Sequence, residues 1–66
     1  MTNSLKIERV KHDLTQEQLA KVIGVSRQTI HAIESGKYIP STMLALKLAR
    51  LFNVSVEDVF MLEDGD

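Results

Sequence analysis

The chain has 66 residues, which leaves room for one domain with one small core. It contains no cysteine and only two histidines, so neither disulfides nor a zinc cluster can stabilise it. The net charge is −1, yet residues 1–38 carry +2 and residues 39–66 carry −3, so a surface for an anionic partner is expected in the first half.

The location of the protein is indicated by what its sequence lacks. The hydrophobic content of 44% is typical of a folded globule, and no apolar run is long enough to cross a membrane. No signal-peptide pattern precedes the first charged residue. We therefore expect a cytoplasmic protein that makes no membrane contact.

The first predicted helix begins after Asn3 or Ser4, either of which can cap it, and ends near Lys11. Its apolar positions are Leu5, Ile7 and Val10. These residues are expected to pack on the core.

Two short helices joined by a turn are predicted between about residues 15 and 35. Thr15 and Gln18 have the spacing of a capping box, which begins the second helix, and Gly24 can end it in a left-handed conformation. Ser26 can cap a third helix, which closes before Gly36.

The third helix carries an amphipathic pattern that suits recognition of DNA bases. Ile30 and Ile33 share one side, which leaves most of the polar residues on the other. Arg27 can donate a fork to guanine, Gln28 can pair bidentately with adenine, and the methyl group of Thr29 can touch a thymine methyl. The pattern predicts a helix-turn-helix whose second helix enters a major groove.

The second half of the chain predicts two more helices. Ser41 can cap a fourth helix with a wide apolar face, and Ser55 with Asp58 forms a capping box for a short fifth helix from Val56 to about Phe60. Residues 61–66 are read as a tail.

The motif L-T-Q-x-x-L-A-x-x-x-G-V-S-R-Q-T-I-x-x-I-E-x-G-K-Y-x-P-S at residues 14–41 resembles the phage repressor and Cro-like helix-turn-helix family, also called the XRE family. The resemblance continues through residues 44–60 and is closest to the small bacterial single-domain form. It implies an all-α, compact five-helix lambda-repressor-like domain over residues 1–66, with the helix-turn-helix at helices 2 and 3. It also implies a transcriptional regulator, expected to be a repressor, that binds specific double-stranded DNA sequences as a dimer on an inverted-repeat operator.

The resemblance assigns roles to individual residues. Gln16 matches a glutamine that contacts phosphate, while Arg27, Gln28 and Ala32 match positions that meet base edges. His31 stands at a variable position of the same helix and is grouped with the base contacts. The remaining expected phosphate contacts are Ser26, Thr29, Lys37 and Tyr38. In the same family an arginine and a glutamate matching Arg9 and Glu34 form an ion pair that links the first and third helices.

A homodimer is expected from an apolar run near the C-terminal end. One small core has little room to bury the whole run, and helix-turn-helix proteins usually read two-fold symmetric operators. The alternative is that Val59 and Phe60 close the core of the monomer. The candidate interface residues are Leu46, Val59, Phe60, Met61 and Leu62.

Two other classes of function were weighed. A protein-interaction module on the same fold, such as an antitoxin or a polymerase adaptor, would need apolar anchors on the exposed side of the third helix. An enzyme would need a Gly-rich phosphate loop, a cysteine nucleophile or a catalytic grouping, and none is present. No cofactor, metal or small-molecule ligand is expected.

Overall fold

The computed structural model describes all of residues 1–66 as five helices with a short two-stranded ribbon. The elements are β1 (Thr2–Asn3), α1 (Leu5–Lys11), α2 (Gln16–Ile23), α3 (Arg27–Glu34), α4 (Thr42–Phe52), α5 (Val56–Val59) and β2 (Phe60–Met61). The predicted five-helix architecture is confirmed, and the ribbon is an addition that the sequence analysis did not contain. No helix has the combination of length and apolar composition that crossing a membrane requires.

The helices begin where local capping chemistry directs them to begin. Thr15 accepts a hydrogen bond from the Gln18 N–H at 3.0 Å, and Gln18 Oε1 accepts one from the Thr15 N–H at 2.9 Å. Ser41 caps α4 by accepting from the Leu44 N–H at 3.1 Å. These bonds satisfy backbone donors that have no partner within the first turn of a helix, so each one fixes a boundary.

One apolar core joins all five helices. Its side chains come from one face of each helix, so the small domain buries its apolar surface in a single cluster. The cluster consists of Leu5, Leu19, Ala20, Ile23, Ile30, Ile33, Leu44, Leu48, Phe52, Val59 and Phe60.

Helix α1 packs differently from the sequence-based expectation. Leu5 is fully buried, but Ile7 and Val10 are 59% and 55% exposed. The side of α1 that faces the protein carries Leu5 and, one turn later, Arg9, whose side chain is only 12% exposed. The expectation that Ile7 and Val10 join the core was wrong because the charged residue takes the inward position.

The β1–β2 ribbon determines how far two of the predicted dimer contacts, Val59 and Phe60, are buried. The strands are antiparallel, with Thr2 opposite Met61 and Asn3 opposite Phe60, and the Ser4 N–H donates to the Val59 carbonyl at 2.8 Å. This pairing turns Val59 and Phe60 inward, where both are buried in the core of the monomer. Val59 has no exposed surface and is therefore unavailable to a second copy, as the alternative reading of the run had allowed, whereas Phe60 is 7% exposed and lines a surface groove.

The residues after the ribbon are held by charge. The Met1 ammonium lies 2.8 Å from an Asp66 carboxylate oxygen and 3.0 Å from one of Glu63. Hydrogen bonds to Asp66 and Glu63 raise the pKa of the Met1 ammonium, and the hydrogen bond from this ammonium lowers the pKa of Asp66. Residues 63–66 thus fold back against the start of the chain.

Asn3 connects the ribbon to the third helix. Its amide nitrogen donates to the Ile33 carbonyl at 2.9 Å, and its side-chain oxygen accepts from the Leu5 N–H at 3.1 Å. We expect Asn3→Ala to lower the free energy of unfolding by about 1–2 kcal/mol, because two partly buried hydrogen bonds are lost. Thermal melts should show this loss, whereas Thr2→Ala, an exposed change in the same strand, should melt like the parent. Equal melting of all three proteins would contradict the role given to Asn3.

Candidate nucleic-acid interface

The turn between α2 and α3 is held by a left-handed glycine, two backbone hydrogen bonds and a helix cap. Gly24 has φ +86°, a left-handed conformation that a residue without Cβ adopts at little cost. Its N–H and that of Val25 both donate to the Ala20 carbonyl, at 2.8 and 3.0 Å. Ser26 then caps α3 by accepting from the Thr29 N–H at 3.1 Å. Helix α3 therefore starts at a defined point, and its first turn contains no acidic residue.

The outward side of α3 is a polar surface. Arg27, Gln28 and His31 are exposed, and together with Gln16 of α2 they line a shallow recess of about 280 Å³ that has no apolar lining residue. Ile30 and Ile33, on the opposite side of the helix, are fully buried. The structure thus brings together three of the four predicted base-contacting residues and the predicted phosphate contact Gln16.

An ion pair holds α3 against α1. Arg9 Nε donates to Glu34 Oε2 at 2.7 Å, and a second guanidinium nitrogen donates to Glu34 Oε1 at 3.2 Å. The remaining terminal nitrogen donates to the Leu14 carbonyl at 2.8 Å. Both side chains are largely enclosed, because that of Arg9 is 12% exposed and that of Glu34 is 5% exposed. The bidentate geometry leaves this part of the interface without an unpaired carboxylate.

A second polar recess, which we call the α1 recess, lies on one side of α3. It measures about 250 Å³ and lies between α1, α2 and α3. Gln16 reaches into it, where its amide nitrogen donates to Glu34 Oε1 at 3.2 Å. The recess is lined by Lys6, Arg9, Gln16, His31, Glu34 and Ser35.

The other flank is a crevice between the helix-turn-helix turn and the start of α4, which we call the α4 crevice. It measures about 330 Å³ and includes two of the predicted phosphate contacts, Thr29 and Tyr38, together with Lys47. Polar and cationic groups therefore stand on both sides of the surface formed by Arg27, Gln28 and His31.

The other predicted site residues lie outside these recesses. Ser26 uses its hydroxyl to cap α3 and also lies 2.9 Å from the Thr29 hydroxyl. Lys37 is exposed in the loop after α3, and Ala32 is half-buried on α3.

The sequence analysis overlooked two cations. Lys6 lines the α1 recess, Lys47 lines the α4 crevice, and neither makes an ion pair within 4.0 Å. A signal for Lys6 was available, because it lies three residues before Arg9 and so on a neighbouring part of the same helix surface. No comparable signal pointed to Lys47, because α4 is distant in sequence from the α2–α3 turn and lies beside it only in the folded protein.

No three side chains of the metal-ligating types lie close enough together to hold an ion. Every buried side-chain nitrogen and oxygen has a hydrogen-bond partner.

A family model described as "Helix-turn-helix" matches residues 5–59. The chain belongs to the XRE-type helix-turn-helix family. A regulator of this type from Methanocaldococcus jannaschii, described as an HTH-type transcriptional regulator, is 59% identical over 66 residues and covers 100% of both chains. As expected from the sequence, the family and the relatives that are described as HTH-type regulators are transcriptional regulators rather than enzymes.

Comparison with solved structures shows that the helix-turn-helix protein has the lambda-repressor-like fold. A Bacteroides fragilis protein described as DNA-binding superposes with a TM-score of 0.79 at 31% identity, over 88% of this chain and 94% of its own. The SOS-response transcriptional repressor LexA of Eubacterium rectale gives a TM-score of 0.80 at 32% identity, over 94% of this chain and 66% of its own. The protein is thus a transcriptional regulator with a helix-turn-helix DNA-binding domain.

Proposed function

We propose that the protein represses transcription by binding, as a homodimer, to a specific inverted repeat in double-stranded DNA. The observation that carries the proposal is the polar, acid-free surface of α3, on which Arg27, Gln28 and His31 stand between two flanks that carry Lys6 and Lys47. A reading helix between two phosphate-contacting flanks is the arrangement that major-groove docking requires. Such a protein would act in the cytoplasm, where prokaryotic genomic DNA lies.

Roles follow from the chemistry of each side chain. Arg27 and Gln28 are assigned to purine edges, because a guanidinium fork and a carboxamide match guanine and adenine respectively. His31 and Ala32 are assigned to the same groove, with Ala32 limited to an apolar contact. Phosphate contacts are assigned to Gln16, Ser26, Thr29, Lys37 and Tyr38, and we add Lys6 and Lys47 on the strength of their positions in the flanks.

The proposed effect of DNA binding on transcription is repression. It is supported by the likeness to the Eubacterium rectale protein, which is described as a transcriptional repressor. A dimer bound over a promoter would exclude other proteins from the same DNA, so DNA binding itself is enough for this effect.

The dimer is proposed to form through the apolar groove beside β2. This groove of about 220 Å³ has Ile39, Leu46, Val56 and Phe60 among its lining residues. Leu46 is 54% exposed, and Leu62, two residues beyond Phe60, is 80% exposed. Exposed aliphatic side chains around an apolar groove favour a protein interface. With Val59 assigned to the monomer core, the proposed interface residues are Leu46, Phe60, Met61 and Leu62.

We expect Leu46→Asp to dissociate the dimer, because it places an unpaired charge in an apolar contact. Ile7→Asp is the matched control, since Ile7 is exposed to a similar degree, 59%, but lies on α1. Sedimentation equilibrium should give monomer for Leu46→Asp and dimer for both the parent and Ile7→Asp. A parent that sediments only as monomer at high concentration, or a dimeric Leu46→Asp protein, would contradict this interface.

The competing function is a protein-interaction module, such as an antitoxin or a polymerase adaptor. Protein-binding surfaces are usually centred on aromatic or aliphatic anchors. The recess on α3 has no apolar lining residue, which favours DNA.

Selection of bound sequences from random duplex DNA tests the proposed function. We expect an enriched inverted repeat whose half-sites are separated by about one helical turn, which is about 10 base pairs. Recovery of no enriched sequence would overturn the proposal and favour a protein partner.

A further inference from the structure

We propose that His31 makes DNA binding proton-dependent, so that the affinity for the operator rises as pH falls from about 8 to about 5.5. The inference rests on the proposed function, because it concerns the surface that faces DNA. It adds a chemical signal, proton concentration, to which that surface responds.

The Gln16 amide nitrogen has two neighbours on α3. Its nitrogen donates to Glu34 Oε1 at 3.2 Å and lies 3.5 Å from His31 Nδ1. A neutral imidazole that carries its proton on Nε2 offers Nδ1 as an acceptor for the second amide hydrogen. In this state both amide hydrogens of Gln16 have acceptors within the protein, Glu34 at 3.2 Å and the exposed His31 at 3.5 Å, although Gln16 needs a free donor to bind a phosphate oxygen.

Protonation of His31 breaks this arrangement. Both nitrogens of an imidazolium are donors, so Nδ1 can no longer accept from Gln16. The amide cannot simply turn its oxygen toward His31, because the nitrogen would then leave Glu34 and the amide oxygen would approach a carboxylate. Gln16 is therefore released from His31 and gains a hydrogen for phosphate, while His31 itself becomes a cation on the surface that meets DNA.

The charges around His31 are compatible with this role. Helix α1 contributes Lys6 and Arg9, helix α3 contributes Arg27 and Glu34, and helix α2 contributes only the uncharged Gln16. Glu34 is already bound to Arg9 in a bidentate pair, so its charge is largely compensated. Bound DNA would bring the dominant negative charge to this surface, and it would stabilise the imidazolium.

The chain contains a built-in control. Only two histidines are present, and the second, His12, lies at the end of α1, where its ring is 4.9 Å from Phe52 and its Nδ1 is 2.9 Å from the Glu8 carbonyl. His12 lines neither the recess on α3 nor the α1 recess. Hydrogen bonds to Asp66 and Glu63 raise the pKa of the Met1 ammonium, which moves its titration further above that of a histidine.

The experiment measures operator affinity between about pH 5.5 and about pH 8, the range in which histidines change charge. The probe is a duplex that carries the selected inverted repeat, at constant ionic strength, with the parent, His31→Gln and His12→Gln proteins. Glutamine keeps a polar side chain that cannot titrate. For the parent we expect the dissociation constant to be about fivefold smaller at the acidic end, the scale of one exposed ion pair. His12→Gln should keep this dependence and His31→Gln should lose it.

A histidine titration followed by NMR supplies a second readout that a purely structural role would not move. The ring resonances of His31 should shift when the duplex is added, by an amount that depends on pH, and those of His12 should stay unchanged. A parent whose affinity is the same at both ends of the range, or a His31→Gln protein that keeps the dependence, would overturn the inference. Failure of the parent to bind any duplex at either pH would instead overturn the proposed function itself.

Discussion

Replacing Arg9 with alanine is expected to lower the free energy of unfolding by about 3–5 kcal/mol, the usual loss when one partner of a buried ion pair is removed. The substitution strands the Glu34 carboxylate, which is 5% exposed, and also removes the donor to the Leu14 carbonyl. The whole stability of a domain of this size is on the order of 3–10 kcal/mol. The melting temperature should therefore fall by at least about 12 °C.

The controls separate burial from charge. Lys11→Ala removes a cation whose side chain is 64% exposed and whose ammonium lies 3.7 Å from the Glu8 carboxylate, and it should cost no more than about 1 kcal/mol. The double variant Arg9→Met with Glu34→Leu should be more stable than Arg9→Ala, because no charge is left buried without a partner. If Arg9→Ala melted together with Lys11→Ala, the pair would not be the link between α1 and α3.

Replacing Arg27 with alanine is expected to relax the base preference at one position of each half-site. A bidentate contact to a base contributes about 1–3 kcal/mol of discrimination, so the preferred base should lose most of its advantage there. Arg27 makes no ion pair in the protein and is exposed, so its removal should leave the fold intact. Competition between the selected operator and its single-base variants measures the effect.

Lys37→Ala is the control for a contact that carries no sequence information. Lys37 is also an exposed cation, but it lies in the loop after α3. Its loss should weaken binding to every variant by a similar factor and reduce the salt dependence of the affinity. A sequence-selective loss in Lys37→Ala would contradict its assignment to phosphate.

The parts of the fold that were predicted correctly rest on local chemistry. Thr15, Ser26 and Ser41 each accept a hydrogen bond from the N–H three residues later, and Gly24 takes the left-handed conformation that ends α2. Such bonds join residues close in sequence, so the amino-acid sequence alone indicates them. The helix-turn-helix and the exposed side of α3 follow from the same short-range pattern.

The parts that were missed depend on contacts between residues far apart in sequence. Strands of two residues are too short to show an alternating pattern, so the pairing of Thr2–Asn3 with Phe60–Met61 could not be read from composition. The burial of Val59 follows from this pairing. Lys47 is likewise brought to the helix-turn-helix turn only by the packing of α4.

The claim that α3 reads base edges is tested most directly by the single-base competition profile of Gln28→Ala beside that of the parent, at fixed salt concentration. Gln28 is exposed and lines the recess together with Arg27 and His31, and its carboxamide can pair with both hydrogen-bonding groups of adenine in the major groove. We expect Gln28→Ala to lose discrimination at one half-site position, distinct from the position affected by Arg27→Ala, and to keep it elsewhere. An unchanged profile with a uniform fall in affinity would contradict the account.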